Sequence, residues 1–291
     1  MNKKPSYLKV KDHSVSGEEF ELVYNKEFDF LETYPQPSED KLGAYYESDD
    51  YISHTDAKRN LFEKAYHFIK GIALKRKLKL INSFSDLALS ANISEDKKLL
   101  DVGCGTGDFL KVAKDNHWDV SGIEPNENAR IIANTKTDDS VFNIDHLLRF
   151  KPQSFDVITL WHVLEHLPKL ESHIEIFESL LKPNGRLVIA VPNYKSYDAH
   201  YYKNFWAAFD VPRHLWHFSQ TSISRLVATK QMLVEKTKPM TFDAYYVSLL
   251  SEKYKRGQMN LFKAFWIGWR SNRKAKRSNE YSSMIYIIKK S

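Results

Sequence analysis

Cysteine is nearly absent: Cys104 is the single one among 291 residues, so no internal disulfide can form and nothing points to an oxidising compartment. Long apolar runs are missing too, since no stretch approaches the roughly 18 consecutive apolar residues that a membrane span needs. Met1 to Val10 carry lysines without an apolar core, so no secretory leader is expected, and a cytoplasmic location is the resulting expectation. Acidic residues are missing from residues 253–277, which hold nine Lys or Arg. Without that segment the formal net charge of +6 would turn negative; the basic character is local and not a nucleic-acid footprint spread over the fold.

Glycine is scarce as well, 10 in the whole chain, yet three fall within five residues as Gly103, Gly105 and Gly107. They end the apolar run Leu99, Leu100, Val102 and precede Phe109, Leu110, Val112 and Ala113, which reads as buried strand, tight turn and helix. Glycine permits positive φ and close approach of a ligand to the backbone, and the helix start offers unpaired N–H groups. Asp101 beside this elbow would repel a pyrophosphate and suits a ligand carrying an amino group or positive charge. A dinucleotide Gly-x-Gly-x-x-Gly pattern also fails, because Asp108 or Leu110 stands where glycine is required.

The remaining periodicities place seven strands. After the first come Trp118–Ile123, Val141–Asp145, Phe155–Trp161, Arg186–Pro192, Met232–Glu235 and Met284–Ile288. Helical spacing fills the intervals: 56–84 before the elbow, Asn126–Thr135, Leu170–Leu181 up to a Lys182-Pro183-Asn184-Gly185 stop, and a capped helix over Ser219–Ala228. Alternating strands and helices predict a Rossmann-like, doubly wound, mostly parallel seven-stranded sheet, whose ligands lie beyond the carboxyl ends of the strands. Residues 1–55 are expected as an N-terminal arm or lid, and 56–291 as the main domain, with 193–218 as an aromatic, histidine-rich connection. Glu124 follows Gly105 by 19 residues, near the spacing at which an acid takes ribose hydroxyls.

Taken in this order, Asp101-Val102-Gly103-Cys104-Gly105-Thr106-Gly107, Glu124, the run Phe155 to His166 and Leu181-Lys182-Pro183-Asn184-Gly185 resemble a class I S-adenosylmethionine-dependent methyltransferase. The nearest subgroup in pattern is the bacterial ubiquinone-biosynthesis O-methyltransferases, which share the Leu164-Glu165-His166 ending. The resemblance implies S-adenosylmethionine as cofactor, with Gly103, Cys104, Gly105 and Gly107 along its methionine part and Asp101 near its amino group. Glu124 with Pro125 would hold the ribose, Asn143 and Ile144 would border the adenine, and Trp161 and His162 would complete the cofactor set. It implies methyl transfer to oxygen of a small or lipid-like aromatic or sugar acceptor; transfer to carbon or nitrogen, or binding without catalysis, are the alternatives.

Methyl transfer needs a base only if the acceptor begins protonated, and histidine can serve a phenol. His166 and His214 are the candidates, and Tyr46, Tyr51, Trp206, Arg213 and His217 are candidates for the acceptor side. His162 to His166 also reads as His-x-x-Glu-His, but no third ligand can be identified in the sequence, so no metal is assigned. The ubiquinone-related resemblance would permit a divalent ion near Glu165 and His166, although His162 replaces an acid of that subgroup. Residues 253–277 combine Phe262, Phe265, Trp266 and Trp269 with the cations. They read as a packed helix with a solvated basic face, or as an interfacial helix at the inner face of the membrane; nucleic acid is the least expected partner.

Overall fold

The computed structural model describes residues 5–46, 61–84 and 97–291; Tyr51 lies outside them. Residues 6–34, read as part of an arm, form three antiparallel strands: β1 (Ser6–Lys11), β2 (Glu19–Asn25) and β3 (Phe30–Tyr34). Alternation along β2 turns Phe20 and Leu22 inward, as a half-buried strand requires.

Helix α1 (Leu61–Asn82) leads toward β4 (Lys97–Val102), the elbow and α2 (Asp108–Lys114). There follow β5 (Trp118–Ile123), α3 (Glu127–Thr137), β6 (Val141–Phe142), β7 (Phe155–Trp161), α4 (Leu170–Leu180) and β8 (Leu181–Pro192). Beyond them lie α5 (Tyr197–Tyr202), β9 (Trp216–His217), α6 (Gln220–Ala228), β10 (Met232–Pro239), α7 (Asp243–Arg256), α8 (Leu261–Ser278) and β11 (Ser283–Lys290). The main sheet has seven strands in the order β10-β11-β8-β7-β4-β5-β6. All neighbours are parallel except β11, which runs antiparallel to both β8 and β10.

Both faces are covered, so the strands are apolar on both sides. Leu100, Ile158, Leu187 and Ile288 face α4 and α6 in one core. Leu99, Val157, Val188 and Ile287, each one residue away, pack with α1 and α2 in the other. A third core joins β1 and β2 to residues 194–211 and to α7 and α8.

Three local expectations change. The third strand stops at Phe142, because the Asn143 side chain accepts from the Ile144 N–H at 2.7 Å and turns the chain into a 3-10 segment, Ile144–Arg149. The helix does end just before Lys182, at Leu180, but Lys182 to Gly185 lie within β8 and not ahead of it. They loop out inside β8, whose pairing with β7 jumps from Phe155↔Leu181 to Val157↔Arg186. The 193–218 connection is structured: β9 pairs with β3 and completes the small sheet β1-β2-β3-β9. One buried carboxylate anchors this connection. Asp198 accepts from Trp206 Nε1 at 2.8 Å, Ser271 Oγ at 2.6 Å and Ser282 Oγ at 2.6 Å, tying it to α8 and the approach to β11.

Candidate functional site

The elbow is built as its glycines require. Gly103, Gly105 and Gly107 all have positive φ, +70°, +54° and +76°, where a Cβ is costly. Their surroundings differ. A Cβ on Gly107 would lie 2.9 Å from both the Cα and Cβ of Ala133, so α2 and α3 can meet only over glycine, whereas nothing lies within 4 Å of the corresponding point on Gly105. Gly107→Ala should therefore cost about 2–4 kcal/mol of stability, and Gly105→Ala only about 1 kcal/mol while filling space that a ligand would use. Urea unfolding and cofactor titration of the two variants check this contrast.

A cavity of about 230 Å³ opens above the elbow, lined by Asp101, Gly103, Cys104, Gly105 and Trp161 together with α1 residues. Asp101 is buried and accepts from Thr159 Oγ1 at 2.6 Å. Burial pushes its carboxyl up to about 6, against the pull of Lys77. Lys77 Nζ lies 4.4 Å from the Trp161 ring centroid and 5.5 Å from that of Phe109, and burial lowers its ammonium to about 8. The cavity thus sets Asp101 against Lys77, while Lys70 and Asp108, also in its lining, pair with each other. Burial also pushes the Cys104 thiol up, so the neutral thiol is favoured.

Lys77 was not apparent from the strand and elbow motifs. The signal was there: Lys70, Ala73, Leu74 and Lys77 all line the cavity, and their i, i+3, i+4, i+7 spacing defines one face of a helix.

Glu124, at the end of β5, is buried, and its carboxylate accepts from the Gly105 N–H at 2.8 Å and the Asn126 N–H at 2.9 Å. Pro125, Asn143 and Ile144 lie near it, after β5 and β6, outside the lining of the cavity. His162 also turns away from it: Nε2 stands 3.1 Å from Asp243 Oδ2, and Nδ1 is 3.5 Å from Glu165 Oε1. Burial disfavours the imidazolium, but these two carboxylates prevail and push the ring up to about 10.

The acceptor-side candidates separate into two groups. His166 and His214 meet with ring centroids 4.5 Å apart. His166 Nδ1 is within hydrogen-bond reach of the Arg213 carbonyl at 3.0 Å and the Tyr46 hydroxyl at 2.9 Å. Burial, then neighbouring His214, lowers His166 to about 4, so its ring is neutral at pH 7. Arg213 donates to Asp210 and to the Tyr45 carbonyl, and stands 3.5 Å from Asp12 of the small sheet. Trp206 and His217 are buried in the fold instead. Trp206 belongs to the third core, and His217 Nε2 pairs with Thr33 Oγ1 at 3.0 Å.

Glu165 is 1% exposed. Burial would raise its carboxyl, but the nearby imidazoles of His162, His214 and His166 hold it below the ordinary range. Tertiary structure supplies the third group that sequence spacing did not: donor atoms of Glu165, His166 and His214 all lie within 4.8 Å of one another. These three could hold a cation.

A family model described as a methyltransferase domain matches residues 74–231. Ubiquinone biosynthesis O-methyltransferase of Azoarcus sp. (strain BH72) is 33% identical over 110 residues, covering 35% of this chain and 47% of that protein. The enzyme of the same name from Vibrio atlanticus (strain LGP32) is 36% identical over 110 residues, covering 35% and 46%. The match spans about half the length of these curated relatives. Among solved structures, magnesium protoporphyrin IX methyltransferase from Synechocystis PCC 6803 superposes with a TM-score of 0.54 at 14% identity, over 87% of this chain and 100% of that one. A putative sarcosine dimethylglycine methyltransferase from Galdieria sulphuraria gives 0.51 at 14%, over 74% and 86%. At such identities these two likenesses speak for the fold.

Proposed function

The chain belongs to the methyltransferase domain family, and from that premise we propose that it transfers a methyl group from S-adenosylmethionine to oxygen of a small aromatic or sugar acceptor, lipid-like acceptors included. The observation that carries this reading is the cavity at the elbow, where Asp101 and Lys77 oppose one another beside an open Gly105. An acid and a base in one small cavity complement the ammonium and carboxylate of an α-amino acid, which is the methionine end of this cofactor. Asp101 would take the ammonium, Lys77 the carboxylate, and Glu124 the ribose hydroxyls, with Pro125, Asn143 and Ile144 toward the adenine.

Bound S-adenosylmethionine supplies the methyl group on a sulfonium. The protein's work is alignment and exclusion of water, and orientation alone can contribute roughly 7–11 kcal/mol. Transfer would put the methyl on the acceptor oxygen and leave a neutral thioether, with Asp101, Lys77 and Glu124 holding the donor in place. His166 would take the hydroxyl proton, and the buried Glu165 carboxylate beside it would stabilise the imidazolium so formed. Tyr46 and Arg213 position His166 from the acceptor side. The names of the curated relatives, O-methyltransferases, favour oxygen over carbon or nitrogen.

The test is direct. Calorimetry should detect binding of S-adenosylhomocysteine, and incubation with S-adenosylmethionine and a panel of phenols and sugars should yield a product heavier by one CH₂ unit. Cofactor binding without transfer to any acceptor would reduce the protein to a binding module. Turnover that survives exhaustive chelation is expected; loss restored by a divalent ion would assign Glu165, His166 and His214 to a cation instead.

A further inference from the structure

Helix α8 has its polarity reversed in its first half. Ala264, Ile267, Gly268 and Ser271 face the protein, while the outward side carries Leu261, Phe262, Phe265 and Trp266, exposed by 62%, 92%, 63% and 51%. Apolar surface of this kind, contiguous along two turns, is what a binding face shows and what scattered surface residues do not. About 16 Å further along the same outward side, at the rise of an α-helix, aromatic residues give way to Arg273, Lys276 and Arg277.

Among the described residues, no carboxylate forms an ion pair with Arg273, Lys276 or Arg277. They line a groove of about 660 Å³ with Phe242, Tyr245 and Trp269, and none of the described residues lining it is acidic. The nine Lys and Arg of 253–277 have no acid among them. Within this stretch Arg256 pairs with Glu252 on α7, away from the groove.

We propose that α8 docks this protein on bilayers rich in anionic phospholipid: Leu261, Phe262, Phe265 and Trp266 enter the headgroup–acyl boundary, and the groove of Arg273, Lys276 and Arg277 receives a lipid phosphate. Charge decides the occupant. A second copy would bring two such cationic segments together, and a nucleic acid would leave the apolar half of the helix in water. An anionic bilayer satisfies both halves, by burying the aromatic stripe and neutralising the cations. The inference is independent of the methyl-transfer reading, because it is measured without turnover.

The full-length protein is floated with vesicles of equimolar phosphatidylcholine and phosphatidylglycerol, and with vesicles of phosphatidylcholine alone. Binding should be at least tenfold stronger to the anionic vesicles and should weaken with salt. Leu261→Ser with Phe262→Ser should weaken it at least tenfold. Arg273→Ala with Lys276→Ala and Arg277→Ala should weaken it about a hundredfold, near fivefold per cation. Brominated acyl chains should quench Trp266 fluorescence, a signal that Trp266→Phe removes. Unchanged far-ultraviolet circular dichroism and cofactor affinity would show that both multiple variants fold. Equal binding to neutral vesicles, or full binding by either variant, overturns the proposal. So does self-association abolished by Leu261→Ser with Phe262→Ser, retention of single-stranded DNA by the basic groove without vesicle binding, or saturation of the groove by inorganic phosphate without vesicle binding.

Discussion

Replacing His166 by alanine should lower turnover by a factor of about 10² to 10⁴ while leaving cofactor affinity unchanged. The ring sits between two chain segments distant in sequence, held at Nδ1 by the Arg213 carbonyl and the Tyr46 hydroxyl. If Nδ1–H donates to the carbonyl, Nε2 is the proton acceptor. Because burial and His214 keep the ring neutral at pH 7, it can accept a proton without first releasing one. The fully buried carboxylate of Glu165 then faces a cation in place of a neutral ring. Glutamine at position 166 is the sharper control, since its amide can still donate to the Arg213 carbonyl but cannot take a proton. If the glutamine variant keeps wild-type kcat at saturating acceptor, His166 orients the loop and is not the base.

Asp101→Asn should move stability and affinity in opposite directions. The carboxyl has an ordinary value near 3.8 and stands near 6 in the fold, chiefly because it is buried. An acid raised in this way binds its proton more tightly folded than unfolded, so its ionisation costs stability that grows between about pH 4 and 6 and is constant above. Two pH units correspond to about 3 kcal/mol. The asparagine variant escapes that cost, so the apo protein should melt higher at pH 7.5, and the difference should shrink toward pH 5.

The same substitution removes the anion that would face the cofactor's ammonium. A charge-assisted hydrogen bond of this kind is worth about 1.5–3 kcal/mol, so affinity for S-adenosylhomocysteine should fall roughly 10- to 100-fold. Wild-type affinity should also fall about tenfold per pH unit below 6, and the variant's should not. Calorimetric titration and thermal melts across pH 5 to 8 read both effects. A variant that binds as wild type does, or that melts lower at pH 7.5, would remove Asp101 from the site.

The main sheet was legible because its strands are covered on both faces and therefore read as continuous apolar runs, such as Val157 to Leu160 and Leu187 to Val191. The elbow was legible because three glycines with positive φ leave a mark that packing alone does not. Short-range hydrogen bonds were not: the side-chain carbonyl of Asn143 ends β6 three residues early, and nothing in an apolar run announces a capture of the following N–H. The N-terminal strands were hidden for a different reason. β1, β2 and β3 pair with one another locally, but the partner on the far side of β3 is β9, nearly two hundred residues away in sequence, and the core they cover lies on residues 194–211 and on α7 and α8.

Within the candidate site, the elbow cavity is lined largely by neighbours in sequence, Asp101 and Gly103 to Gly105, whereas Lys77 reaches it from α1. The acceptor half is assembled by long-range contacts. Trp206 was as plausible as Arg213 on composition, yet Trp206 fills a core with its indole on Asp198, while Arg213 braces the Tyr45 segment against Asp12 and Asp210.

The amino-acid sequence by itself determined the individual strands and helices, the glycine elbow and the acid beside it, because each is written in residues close together in the chain. Only the tertiary structure decided which histidines meet, which cation enters the elbow cavity and which side of α8 is left facing outward. Those outcomes depend on segments far apart in the chain, and on whether burial, charge or a hydrogen bond prevails where they come together.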